Sequence, residues 1–389
     1  MAGKKIKVYH LITSFWTSHG PSNCIMAQIR SHDPGQLDFS IWSMYAPPPA
    51  LDPQAMISEA GLGYRVFPMG RSFLDARVLW PLVRQLRRDP PDILHCHLVR
   101  ANLYGRLAGR LAGIRNIINT IHGVDTHVTA SDLLSQAVRL AERLTAGWAT
   151  KYVAVSEDAR QAVIKQLGLL PDKIVTILNA VDLTPFQPPR GERNAVRAAL
   201  GVSPGAVVVG SVGNLLPLKN YGSLVRWFSD LAARFPQIQL LILGEGEERQ
   251  ALESLAAELR LSDKVRLPGF RTDIPEVLGA MDIFAFPSLS EGLSIALLES
   301  MAAGLPCVAM DVGGNAEAMV DGQTGYVVSP ADEAGFKDAL VRLIKDSELR
   351  KKLGEAGKKR AFALFNPKRL AAQYTELYQA VLNRSKFRQ

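Results

Sequence analysis

Two carboxylates, Glu291 and Glu299, stand eight positions apart in the stretch "SEGLSIALLESMAAGLP", among residues that are otherwise apolar or small. Residues from about Leu293 to Ala303 read as a helix, closed by Gly304 and Pro306. Its apolar positions cover nearly every angle, which marks a buried helix rather than an amphipathic surface one. A charge at Glu299 is expensive there unless something accepts it. Glu291 lies just ahead of the helix, where the backbone N–H groups of Gly292, Leu293 and Ser294 are placed to receive an anion. At ~1.5 Å of rise per residue the two carboxylates are expected about 12 Å apart along the axis. That span matches the distance from hexose to ribose in a nucleoside-diphosphate sugar, so each Glu could take a pair of vicinal hydroxyls. Such charge-assisted hydrogen bonds contribute roughly 1.5–3 kcal/mol each. A core ion pair, for example with an arginine of the last helix, accounts for Glu299 equally well at this point.

Other candidates also follow strand-like runs. "SVGNLLPLKN" delivers Lys219 after the run "AVVVG", where an ammonium could neutralise a phosphate; a solvated surface lysine is the plainer reading. "NTIHGVD" puts His122 between a strand and Gly123, and one imidazole can donate to a sugar hydroxyl or to developing phosphate charge. A lone histidine is more often structural, and His95, His97 and His127 stand as alternatives. "HCH" has the spacing of a metal pair, but His95 and His97 are expected on opposite faces of their strand, so no metal site is expected. "LILGEGEERQ" imitates a dinucleotide fingerprint. However, Arg249 replaces its third glycine, and Glu245, Glu247 and Glu248 would repel a pyrophosphate. No Asp-x-Asp occurs anywhere, so a Mg²⁺ clamp on a diphosphate has no obvious ligand set.

These residues need a scaffold, and the pattern supplies one. Short β-rich runs such as "KIKVYHLI", "DILHCH", "NIINTIH", "IQLLILG" and "IFAFPS" alternate with helical segments such as Leu224 to Arg234 and Glu248 to Leu261. This alternation implies α/β architecture with parallel sheets covered by helices on both faces. At 389 residues the chain suits two such domains. The best boundary is "PFQPPRGER" (Pro185 to Arg193), which places a first domain at 1–187 and a second at 188–365. In doubly wound sheets ligands sit beyond the strands' carboxyl ends, where the candidates above lie.

Hydrophobic residues make up 47% and charged ones 21%, ordinary for a soluble globular protein. The net charge of +8 favours anionic partners such as nucleotides or an anionic membrane surface. The cysteines Cys24, Cys96 and Cys307 are odd in number and far apart, which fits a reducing cytoplasm better than a disulfide framework. No apolar run approaches the roughly 20 residues of a membrane span, and the N-terminal stretch lacks the cleavage site of a signal peptide.

"PGFRTDIPEVLGAMDIFAFPSLSEGLSIALLESMAAGLPCVAMDVGGNAEAMVDGQTGYVV" strongly resembles the retaining glycosyltransferases of family 4, whose fold is the two-domain GT-B type. "HCHLVRANLYGRLAG", "TIHG", "VAVSEDAR" and "ILNAVDLTPF" extend the resemblance over nearly the whole chain. It implies two Rossmann-like domains facing each other across a cleft, with a last helix over 366–385 returning to the first. It implies Glu291 at the donor sugar's hydroxyls, Glu299 at the ribose, Lys219 at the diphosphate and His122 beside the reacting centre. Gly20, Asn214, Gly292, Leu293 and Ser294 complete the implied donor site. Two positions depart from the family pattern: Asn214 replaces its usual arginine, and its Gly-Gly pair reads His19–Gly20.

The expected activity is retaining, metal-independent hexosyl transfer from a nucleotide sugar, UDP-linked first and GDP-linked next. The expected acceptor is a glycan or lipid-linked intermediate of cell-surface polysaccharide biosynthesis. No cofactor and no nucleic acid is expected. The expected location is cytoplasmic, with loose association at the inner membrane face. A nucleotide-sugar epimerase or phosphorylase of the same fold, or a sugar-nucleotide-binding protein without turnover, are the alternatives.

Overall fold

The computed structural model describes residues 5–17, 20–70, 75–123, 133–186 and 193–386. His19 and His127, both weighed above, lie outside them, as do residues 187–192 of the boundary segment. The chain divides into two compact units, Met1–Ala180 with Pro367–Gln389, and Val181–Asn366.

In the first unit the runs become β1 (Ile6–Ser14), β2 (Leu37–Tyr45), β3 (Gly63–Val66), β4 (Ile93–His97), β5 (Ile117–Ile121), β6 (Lys151–Ala154) and β7 (Ile174–Thr176). They form one sheet in the order β3-β2-β1-β4-β5-β6-β7, parallel throughout. Parallel neighbours need crossovers, and helices such as Gly20–Arg30 and Val99–Ala112 supply them. Both faces are thereby covered, which is why Val8, Leu11, Ile12, Ile93 and Leu94 are fully buried without strict alternation. The edge strand β7 was not anticipated, because three residues are too short a run to carry a period of two.

The second unit holds β8 (Val207–Val212), β9 (Ile238–Leu243), β10 (Val265–Gly269), β11 (Ile283–Phe286), β12 (Cys307–Met310) and β13 (Gly325–Val328). Their order is β10-β9-β8-β11-β12-β13, again all parallel. Its core packs Phe228 and Phe336 from flanking helices against Leu240 and Ile242 of the sheet. Each fully buried side chain of this size stabilises by about 1.5–3 kcal/mol.

The units part at Ala180/Val181, ahead of the 187/188 boundary read from the prolines. The reason is local anchoring. Val181 N donates to Phe365 O at 3.1 Å, and Lys358 Nζ donates to Phe186 O at 2.8 Å. Residues 181–186 are therefore tied to the second unit's Ser347–Leu364 helix and its end. The Pro367–Lys386 helix belongs to the first unit, where the Tyr378 hydroxyl accepts from Gln28 Nε2 at 3.0 Å and contacts His95 Nδ1 at 2.8 Å. Among the described residues no helix is long and apolar enough to cross a membrane.

Candidate functional site

In each unit the strand order reverses direction once, between β1 and β4 in the first and between β8 and β11 in the second. Loops leaving such neighbours diverge to opposite faces and open a crevice at the carboxyl ends. The second unit's candidates sit on the loops after β8 and β11.

After β8 the chain passes through Gly213 and Asn214 to a 3₁₀ turn, Pro217–Lys219. Asn220 then adopts a left-handed conformation, φ 58°, and opens the Tyr221–Arg234 helix. This sharp turn aims Lys219 back over the sheet end. Lys219 Nζ lies 2.5 Å from Glu291 Oε1 and 5.3 Å from the centroid of the Phe286 ring. The two charged side chains are only 16% and 11% exposed, so each depends on the other for compensation. Sequence reasoning placed Lys219 at a phosphate and Glu291 at a sugar; the structure brings the two together across the crevice.

The glycines of "GEGEE" also find a purpose. A Cβ on Gly244 would sit 1.9 Å from Gly213 O, and one on Gly246 would sit 2.3 Å from Leu215 O. Leu215 N donates to Glu245 O at 2.9 Å, and Glu248 N donates to Leu215 O at 3.0 Å. The loop after β9 thus braces the loop after β8 and shapes the backbone carrying Asn214. The Asn214 side chain itself is exposed and makes no hydrogen bond among the described residues. On the other side, Gly313 (φ 55°) would place a Cβ 2.2 Å from Glu291 O, and Gly314 N donates to Gly292 O at 2.5 Å. The loops after β11 and β12 are therefore locked backbone to backbone.

The helix spans Ile295–Ala302, shorter than the expected Leu293–Ala303, because Ser294 caps it. Its Oγ accepts from Leu297 N at 3.4 Å. Glu291, Gly292, Leu293 and Ser294 thus precede the helix, and the helical rise cannot be used to space Glu291 from Glu299. Glu299 lies within the helix, partly exposed, and forms no ion pair among the described residues. The core ion pair considered for it is absent there. Burial pushes its pKa up to about 7, so near neutrality it exchanges between a donor-capable acid and an acceptor carboxylate.

The first unit places Gly20 at the start of the Gly20–Arg30 helix after β1, and His122 directly after β5. His122 does not stand alone. Its Nε2 lies 3.1 Å from His97 Nδ1, and His97 Nε2 lies 2.9 Å from His10 Nδ1. The expectation that His95 and His97 point to opposite faces was wrong: residues two apart share a face, and their ring centroids are 4.2 Å apart. Sheet register completes the cluster, because His10 pairs with His95 across β1 and β4.

All three buried rings are held neutral. Burial pushes the His10 pKa down to about 3, and burial reinforced by neighbouring imidazoles lowers His95 and His97 well below their usual range. A buried N–H left unpaired is rarer than an unpaired lone pair. Among the described residues His10 Nε2 has no hydrogen-bond partner, so it is assigned the lone pair. His10 Nδ1–H then donates to His97 Nε2, and His97 Nδ1–H donates to His122 Nε2. Nitrogens of His10, His95 and His97 fall within 4.8 Å of one another, a ligand type zinc accepts. Yet both nitrogens of His97 serve the chain, and those of His95 meet Tyr378 Oη at 2.8 Å and Thr120 Oγ1 at 2.7 Å. The geometry is that of a hydrogen-bonded relay.

Comparison with known proteins follows the same division. A family profile described as Glycosyltransferase Family 4 matches residues 41–185, and one described as Glycosyl transferases group 1 matches residues 192–360. The chain is 30% identical over 282 residues to an Escherichia coli protein named UDP-Gal:alpha-D-GlcNAc-diphosphoundecaprenol alpha-1,3-galactosyltransferase, covering 71% of this chain and 72% of that one. It is 28% identical over 305 residues to N-acetyl-alpha-D-glucosaminyl L-malate synthase of Bacillus anthracis, covering 77% of each. Among solved structures, Anabaena HepE in complex with UDP and glucose superposes with a TM-score of 0.83 at 20% identity, covering 96% of this chain and 100% of that one.

Proposed function

The chain belongs to the group 1 glycosyltransferases of family 4, with the α/β GT-B type of fold, and on that premise we propose a specific reaction. The protein transfers a hexosyl group from a UDP-sugar, with retention and without a metal ion, to a lipid-linked or glycan acceptor. The observation that carries this reading is the Lys219–Glu291 pair across the β8/β11 crevice, with Glu299 on the helix that follows. The donor and acceptor classes are argued from the E. coli relative, whose name specifies UDP-galactose and a diphosphoundecaprenol-linked sugar.

On donor binding, the diphosphate competes with Glu291 for the Lys219 ammonium. Lys219 then compensates charge that grows on the leaving diphosphate, and Glu291 turns its acceptor oxygens to the sugar hydroxyls. Glu299 accepts from the ribose hydroxyls. Asn214, standing where the family's arginine would be, contributes an amide N–H and no charge, so Lys219 bears more of the leaving-group stabilisation. His122, committed at Nε2 to the His97 relay, is assigned to the donor sugar. In retaining transfer the acceptor hydroxyl attacks from the face the diphosphate leaves. The C1–O bond to phosphate breaks, the C1–O bond to acceptor forms, and the hydroxyl proton passes to the departing phosphate. No protein nucleophile is needed, only positioning and electrostatics.

Calorimetry of UDP and GDP with a chelator present tests the donor site. The expected result is UDP-selective binding, weakened in Lys219→Ala and Glu299→Ala. Unchanged binding in both variants refutes the site. Asn214 favours a second reading, nucleotide-sugar binding without turnover; UDP release that depends on added acceptor eliminates it.

A further inference from the structure

Among the described residues of the second unit, four carry a buried side-chain polar atom with no hydrogen-bond partner: Ser211, Tyr221, Ser288 and Asn315. Such groups are rare in folded proteins, because water does not replace the lost partner. All four stand at the carboxyl end of the sheet. Ser211 is the next-to-last residue of β8, Tyr221 opens the helix that follows it, Ser288 comes just after β11, and Asn315 opens the short helix after β12. They gather around the crevice that holds the Lys219–Glu291 pair.

Tyr221 reaches that pair. Its ring is wholly buried in the core that includes Leu224 and Phe228, a place phenylalanine would fill as well. The hydroxyl is the surplus. Ser211 Oγ interacts with it without meeting hydrogen-bond geometry. A Cβ on Gly213 would lie 2.8 Å from Tyr221 Oη and 3.6 Å from Lys219 Cε, so the hydroxyl and the lysine stem converge on the same side of this glycine. Burial chiefly raises the hydroxyl's pKa above its ordinary 10, and the Glu291 carboxylate adds to the rise. Oη therefore keeps its proton, with acceptor lone pairs to spare, within the field of the pair.

We propose that Tyr221 is a positioning residue for Lys219, its hydroxyl accepting from Nζ once the ammonium leaves Glu291 for the donor's diphosphate. This rests on the donor reading above and adds to it how the cation is aimed. Lysine carries its charge and three donors on a flexible four-carbon stem. In the free protein Glu291 fixes that charge from one side. When the diphosphate competes for the ammonium, a second fixed acceptor keeps Nζ in the crevice instead of letting it swing into solvent. A hydroxyl without a partner in the free protein can do this without breaking an existing hydrogen bond. Gly213 is required beside it, because a larger residue would crowd Oη.

The test is a double-mutant cycle on UDP affinity, read by calorimetry, with thermal melts of each variant. Tyr221→Phe removes one oxygen and keeps the ring. Without UDP its melting temperature is expected at or above the parental value, because the free protein loses no hydrogen bond. Its UDP affinity is expected to fall about tenfold, as for one hydrogen bond to a charged group. In a Lys219→Ala background the same substitution is expected to change UDP affinity by less than about twofold, since no ammonium is left to hold. A purely structural tyrosine would lower the affinity equally in both backgrounds, and that result overturns the proposal. So does a melting temperature below the parental one, which would reveal a hydroxyl already paired in the free protein. Weakened binding in Lys219→Ala with parental binding in Tyr221→Phe overturns the proposal and leaves the donor reading standing. Parental affinity in Lys219→Ala refutes the donor reading, and the proposal with it.

Discussion

Replacing Glu299 with glutamine should separate two consequences of one partly buried carboxyl. Burial raises its pKa from the ordinary 4.5 to about 7. Below the unfolded value both folded and unfolded chains carry the proton, and the group contributes nothing to stability. Between 4.5 and about 7 the unfolded chain releases the proton and the folded chain keeps it, so stability falls as pH rises. Above about 7 the penalty is complete and constant. At 1.36 kcal/mol per unit the full shift amounts to at most about 3 kcal/mol, less for a side chain with some solvent contact. Glu299→Gln should therefore match the parent near pH 4.5 and melt higher than it at pH 8. Ligand binding runs the other way. An ionised acceptor makes a ribose hydrogen bond about 1 kcal/mol stronger than a neutral one, so parental UDP affinity should rise about fivefold between pH 6 and pH 8. The nucleotide's own phosphate titration, with pKa near ~6, is common to both proteins and cancels in their difference. Calorimetry and thermal melts across that range read both effects. A glutamine variant with the same pH slope for UDP, or no more stable than the parent at pH 8, would refute the assignment of Glu299 as a desolvated ribose acceptor.

Lys219→Ala should weaken UDP binding by roughly ten- to a hundredfold, the loss of one charge-assisted contact at about 1.5–3 kcal/mol; calorimetry at two salt concentrations checks it. His97→Asn should remove the imidazole that meets His122 Nε2 and lower kcat by about tenfold, while UDP affinity, assigned to the second unit, stays unchanged; ¹⁵N NMR of the imidazoles should show the His122 signals shifting. Gly313→Ala should destabilise by about 1–3 kcal/mol, because its φ of 55° is left-handed and the new Cβ would meet Glu291 O. The same substitution should weaken UDP binding by displacing the Glu291 backbone, visible as parallel drops in melting temperature and affinity.

The amino-acid sequence by itself determined the local content of this protein. Periods of two and of 3.6 residues are properties of neighbouring positions, so "DILHCH", "IQLLILG" and the Pro367–Lys386 helix could be read without knowing where they go. Their alternation entails parallel sheets, since a strand that ends in a helix must cross over before it pairs again. The motif around Glu291 and Glu299 was legible for the same reason: its spacing lies within one strand, turn and helix. Only the tertiary structure decided what those elements bring together. Lys219 and Glu291 are 72 positions apart and meet because β8 and β11 are neighbours in the sheet. His10 and His97 are 87 apart and meet through the register of β1 against β4. Arg106 and Glu142 are 36 apart and pair because the Val99–Ala112 and Leu133–Ala146 helices pack together. Strand order, register and helix rotation are settled by non-local packing and by the need to pair every buried charge, and no short window of sequence contains those terms.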